Sequence, residues 1–97
     1  MPQVIYSPSA IRDLDRIRRF LMSKDLRAAS RAGQTIIRSM REVAKFPQIG
    51  KPIEQMPQEF RDWIIDFGQV GYVVRYRISG DKIVVLAVRH QRELGFD

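Results

Sequence analysis

One histidine, His90, stands in the run Arg89-His90-Gln91-Arg92-Glu93 near the end of a 97-residue chain. Metal-independent cleavage of RNA requires a base for the 2′-hydroxyl proton, an acid for the leaving oxygen and cations on the phosphate. Histidine is the side chain that exchanges protons near neutral pH. His90 with Glu93 and with Arg75 or Arg77 therefore supplies the residue types for that reaction. The same residues also suit binding without chemistry: a histidine bonded to a backbone group orders a chain end, and arginines grip an acidic surface. Arg75 and Arg77 lie two apart in Tyr-Val-Val-Arg-Tyr-Arg-Ile, ~7 Å along a strand and on one side of it. Two such guanidinium groups share one phosphate, clamp an acidic peptide, or form the solvated side of a half-buried sheet. Arg61, Arg89 and Arg92 are further candidates for gripping a target or a nucleic acid, although Arg61, next to Asp62 at the start of a strand, also suits simple pairing. Tyr72, Tyr76, Trp63 and Phe67 have faces on which bases stack, but their places on strands assign them to the core. No spacing of ligands suggests a metal, no glycine-rich loop a nucleotide and no residue set a Ser/His/Asp triad, so no metal and no cofactor is expected.

These residues sit in the last third of the chain, and three extended runs must position them. Residues 63–67 form one strand, Gly68-Gln69-Val70-Gly71 turns the chain, and residues 72–78 alternate. Tyr72, Val74, Tyr76 and Ile78 face one side; Val73, Arg75 and Arg77 face the other. Ser79-Gly80-Asp81 predicts a tight hairpin. Residues 83–88, Ile-Val-Val-Leu-Ala-Val, are apolar on both faces and predict a central or covered strand. Whether His90 reaches the side of Arg75 and Arg77 depends on the hairpin register, which the sequence leaves open.

The first half reads as helices that cover this sheet. After a short strand at residues 3–6, Ser7 caps a helix with Pro8 in its first turn, and Ala10, Leu14, Ile17 and Leu21 recur at helical spacing. Arg12, Arg16 and Arg19 lie mostly on its other side. Asp25 caps a second helix whose stripe is Ala29, Ala32, Ile36, Met40 and Val43. Gly33 interrupts that stripe at a cost of about 1 kcal/mol relative to Ala, which close approach of the first helix at Ala29, Ala32 and Gly33 would explain. Pro47 ends the helix, and the short break between the two favours an antiparallel hairpin. Residues 46–60, with three prolines, predict a loop without strand or helix.

Length and composition agree with one domain spanning residues 1–97. Seventeen basic residues against eleven acidic give +6, and thirteen of the seventeen are arginine. That balance suits a polyanionic partner, either nucleic acid or an acidic protein segment, as well as an ordinary solvated surface. No apolar run approaches the ~20 residues of a membrane span. No secretory signal is evident and cysteine is absent, so a cytoplasmic location without membrane partners is expected.

The order and spacing of several pieces carry a resemblance. They are the opening Ser7-Pro8-Ser9-Ala10-Ile11-Arg12-Asp13-Leu14, the loop Phe46-Pro47-Gln48-Ile49-Gly50, the strand from Gly71 to Ile78, the Gly80-Asp81 hairpin and the closing Arg89-His90-Gln91-Arg92. Over nearly its whole length the chain resembles the RelE/ParE superfamily of toxins from bacterial type II toxin–antitoxin (plasmid stabilisation) modules. The long helical hairpin, the Phe-Pro-x-x-Gly loop and the ending look closer to ParE-like than to RelE-like members. The resemblance implies an α+β fold: a short N-terminal strand and a helical hairpin packed on an antiparallel sheet of about four strands. It implies a growth-arresting toxin, neutralised by an antitoxin whose C-terminal segment wraps around it. That partner is an acidic or amphipathic segment covering the helical hairpin and the sheet edge, with Arg12, Arg16 and Arg19 receiving its carboxylates. Contact with operator DNA is implied only through the antitoxin complex. ParE-like members are known as poisons of DNA gyrase, the leading expectation here. RelE-like members cleave messenger RNA on the ribosome, the alternative; His90, Arg75, Arg77 and Glu93 would then be catalytic. An inactive relative kept for antitoxin binding is a third alternative.

Overall fold

The computed structural model describes residues 2–68 and 71–91. The elements run β1 (Gln3–Tyr6), α1 (Pro8–Met22), α2 (Leu26–Lys45), β2 (Lys51–Pro52), β3 (Phe60–Ile65), β4 (Tyr72–Ser79) and β5 (Lys82–His90). Both helices begin where their caps predict. The Ser7 hydroxyl accepts from the Ala10 N–H at 3.0 Å, and the Asp25 carboxylate accepts from the Arg27 N–H at 2.9 Å, each satisfying an otherwise orphaned donor.

The strands form one sheet in the order β1-β5-β4-β3-β2, with β1 parallel to β5 and the other neighbours antiparallel. Five strands replace the expected four or so. The fifth, β2, lies inside the stretch expected to be a loop. It is only two residues long and sits at the sheet edge, where Pro52, lacking an N–H, is tolerated. Strand β3 begins three residues earlier than expected, at Phe60 rather than Trp63, and ends at Ile65 rather than Phe67. The turn after it falls partly on residues 69 and 70, outside the described residues. The second hairpin closes on Gly80 and Asp81, with Gly80 at φ 59°, a backbone conformation glycine adopts without a Cβ penalty.

The core lies between the helical hairpin and one sheet face. Ala10 and Ile17 of α1 and Ala32, Ile36, Met40 and Val43 of α2 pack with Tyr72, Val74, Tyr76, Ile83, Val85 and Val88. The alternation in β4 is as the sequence predicts: Tyr72, Val74 and Tyr76 are buried, whereas Arg75 is half-buried and Arg77 exposed. Gly33 behaves differently from the expectation. A Cβ at Gly33 would meet nothing within 4 Å, so no neighbour among the described residues demands the glycine. It instead lines an open groove between α1 and α2, about 300 Å³, with Leu14, Ile17, Ala32, Ile36 and Ile37. No helix among the described residues is long and apolar enough to cross a membrane.

Candidate functional site

Cross-strand partners share a sheet face, so the register of β4 with β5 decides which candidate residues meet. Tyr76 pairs with Val85 and Arg75 with Ala87, leaving Leu86 without a partner as a one-residue bulge. Beyond it Val74 pairs with Val88, Val73 with Arg89 and Tyr72 with His90. His90 therefore stands on the helix-covered face, its ring edge-on to Tyr72 with centroids 5.4 Å apart. Arg75 and Arg77 stand on the open face. The sheet does not bring His90 and the arginine pair together. Arg92 and Glu93 lie outside the described residues.

On the open face Arg75 is engaged. Its Nε and Nη2 donate to the two carboxylate oxygens of Asp62 at 2.9 and 3.2 Å, a forked pair directly across from it on β3. Arg77, one row further along, makes no ion pair among the described residues and is flanked by Phe60 and Val84 on the adjacent strands.

Arg89 reaches a different place. Strand β1 pairs with β5 only as far as Val85, so the following residues of β5 have a bare edge. Side chains of the β1–α1 segment cover it. Asp13, 5% exposed, accepts from the Val88 N–H at 2.9 Å and pairs with Arg89 and with Arg16, the latter at 2.7 Å. The Ser7 hydroxyl and Arg16 Nη2 donate to the carbonyls of Leu86 and Val88. Burial pushes the Asp13 carboxyl up, but the hydrogen bonds from Val88, Arg16 and Arg89 outweigh it and hold it below the usual carboxylate range. Asp13 went unnoticed in the sequence, though a signal existed: it falls between Ala10 and Ile17, at a core-facing position of an apolar stripe. Of the three helix arginines, Arg16 thus serves this edge and Arg19 pairs with Asp15 at 2.8 Å. Arg12 is exposed, with no ion pair among the described residues.

Arg61 and Tyr76, cross-strand partners on the covered face, clamp the loop after α2. Arg61 Nη1 donates to the carbonyls of Gln48 and Gly50 at 2.9 and 2.8 Å. The Tyr76 hydroxyl donates to the Pro47 carbonyl at 2.7 Å and accepts from the Gly50 N–H at 2.9 Å. Burial pushes the Tyr76 phenol up, partly offset by the Gly50 N–H and the Arg61 charge, so it remains a neutral donor. A Cβ on Gly50 would come within 2.5 Å of that hydroxyl, which explains the glycine. Arg61 is therefore committed to holding the loop. Among the described residues no group of histidine, cysteine, aspartate and glutamate is placed to hold a metal.

The arrangement thus offers a helical groove, a clamped loop and an open sheet face. Comparisons with known proteins bear on the family and the fold. The family described as ParE toxin of type II toxin–antitoxin system, parDE, matches residues 4–95. Toxin RelE3 of Caulobacter vibrioides is 33% identical over 93 residues, covering 96% of this chain and 98% of that protein. Toxin RelE1 of the same organism is 32% identical over 90 residues, covering 93% and 94%. A solved structure described as a chromosomal ParDE TA system from P. aeruginosa is similar with a TM-score of 0.69 at 18% identity, covering 93% of this chain and 96% of that one.

Proposed function

The chain belongs to the ParE toxin family of type II toxin–antitoxin systems, and from that membership we propose that it arrests growth by binding DNA gyrase, without bond chemistry of its own. The observation that carries the mechanism is the β4–β5 register. A ribonuclease of this size needs its proton-transfer group and its phosphate cations around one scissile bond. Here His90 faces the helices beside Tyr72, while Arg75 and Arg77 face away and Arg75 is already held by Asp62. A protein that acts by binding has no such requirement.

The antitoxin segment docks on the helical hairpin. The groove beside Gly33 is apolar and open, and on α1 Arg18, paired with Asp15, lines it. An amphipathic helix with acidic flanks fits that combination. Arg12 and Arg19, on the same helix, receive further carboxylates, whereas Arg16 stays with the β5 edge. Operator DNA is reached only through the antitoxin, and the protein works in the cytoplasm as one domain.

A second mechanism has its own support: two relatives at 33% and 32% identity carry the name Toxin RelE, which suggests ribosome-dependent cleavage of messenger RNA. One experiment separates the two. Purified protein is assayed for loss of gyrase supercoiling and, in a translating extract, for transcript cleavage. Loss of supercoiling with intact transcripts is expected. Cleaved transcripts with normal gyrase overturn the proposal and place His90 at the chemistry.

A further inference from the structure

The open face of the sheet is not composed like a solvated one. An antiparallel sheet with one face in water normally alternates apolar inward and polar outward. Here one transverse row on the outer face, read across β1, β5, β4 and β3, is Ile5, Val84, Arg77 and Phe60. The row nearer the first hairpin carries Val73 and Ile64, and Ile64 is 60% exposed. Three exposed cations on this face make no ion pair among the described residues, although Lys51 shares a pocket with Asp62 and Glu54. Arg77 is central, Lys82 lies one row further on β5, and Lys51 is at the far edge beside Asp62. They form a diagonal about 20 Å long, from strand spacings of ~4.8 Å and row spacings of ~7 Å.

We propose that this face, through Arg77 with Lys82 and Lys51 and the apolar row beside Arg77, binds an acidic amphipathic segment of the toxin's protein target. The inference rests on the view that the chain acts by binding a protein. Charge complementarity selects the occupant. A second copy would bring like charges together across the same face. A nucleic acid backbone would leave Phe60, Ile64 and Val84 without an apolar partner. A peptide with carboxylates along one flank satisfies both features: its acids meet the diagonal of cations and its apolar side chains cover the row. The surface is separate from the helical groove, on the other side of the sheet. The toxin therefore carries one surface for its target and one for its antitoxin.

The test uses Arg77→Glu and Lys82→Glu, both at exposed positions. Each variant and the parent are expressed with and without the cognate antitoxin, scored for growth arrest, and measured for binding to purified gyrase and to the antitoxin. Each variant is expected to weaken gyrase binding about tenfold, the equivalent of 1.4 kcal/mol, and to relieve growth arrest. Antitoxin affinity should change less than about twofold, which also shows that the variants fold. Arrest at the parental level in both variants overturns the proposal. So does parental binding to a single-stranded RNA or a duplex of about 20 nucleotides that weakens with salt and is lost in the variants, or a parental dimer that the variants dissolve. A parent that arrests growth yet leaves gyrase untouched would remove gyrase as the target. Relief of arrest by the variants, with antitoxin binding intact and no nucleic acid bound, would still place the target on this face.

Discussion

The two faces of the sheet are built from the same strands and answer to different demands. On the covered face and at its edge several polar groups have an internal assignment: Tyr76 and Arg61 hold the Pro47 to Gly50 loop, and Asp13 closes the bare edge of β5. On the open face the forked pair of Asp62 and Arg75 is an internal assignment, but Arg77 and Ile64 contribute nothing visible to holding the molecule together. The contrast separates residues kept for stability from residues kept for contact, and it does so within one strand: Tyr76 and Arg77 are neighbours.

Substitutions on the two sides test that separation. The largest effect is expected from Asp13→Ala, which leaves the Val88 N–H and two guanidinium groups without their carboxylate. Loss of one partner of a buried charged network costs about 3–5 kcal/mol, readable as a lower urea midpoint. Asp13 also gives a pH signature. Its folded-state carboxyl titrates below its unfolded value, so its contribution is present above about pH 4 and is lost as the pH falls through the folded value. Asp13→Asn should flatten that acid limb of the stability curve; an unchanged limb would show that Asp13 does not carry it.

Tyr76→Phe comes next. It strips the Pro47 carbonyl and the Gly50 N–H of their partner, at about 2 kcal/mol, or a Tm lower by about 8–16 °C for a chain of this size. Growth arrest should survive at low temperature. In the opposite direction, Gly33→Ala should stabilise by up to about 1 kcal/mol, since the added methyl meets nothing. The same methyl narrows the groove, so antitoxin affinity should fall, measured by calorimetry on the complex. Stabilisation without any loss of affinity would sink the idea that the glycine makes room for a partner. Arg77→Ala should be the smallest in stability, within about 0.5 kcal/mol, with the loss appearing in growth arrest alone. A large drop in Tm for that variant would erase the contrast between the faces.

Much of the covered face was legible in the sequence because it follows periodicity. Ser7 and Asp25 announce the helices, and the alternation from Tyr72 to Ile78 sorts the strand into its two sides. What escaped depends on where distant segments meet. Two residues of β2 beside a proline carry no pattern of their own and become a strand only because β3 offers an edge. Gly33 suggested contact between helices, but glycine reports equally on space left for something else. Asp13 was hidden by its charge, which argues for solvent until a bare strand edge is found to need it. The placement of His90 could not be read because Ile-Val-Val-Leu-Ala-Val is apolar at every position and fixes no register.

The unpaired Leu86 has a consequence for carrying residue roles between relatives. Side chains on a strand obey parity, and a single extra residue inverts it for everything downstream. Were Leu86 paired with Arg75 instead of set aside as a bulge, His90 would align with Gly71 rather than Tyr72 and would fall on the side of Arg75 and Arg77, while Arg89 would turn towards the helices. Taking that one residue into the ladder is therefore equivalent to exchanging the chemical content of two surfaces, whereas deleting it leaves both as they are. Two toxins with the same Arg-His ending and strands of equal length present the histidine to the same partner only if they also share the bulge.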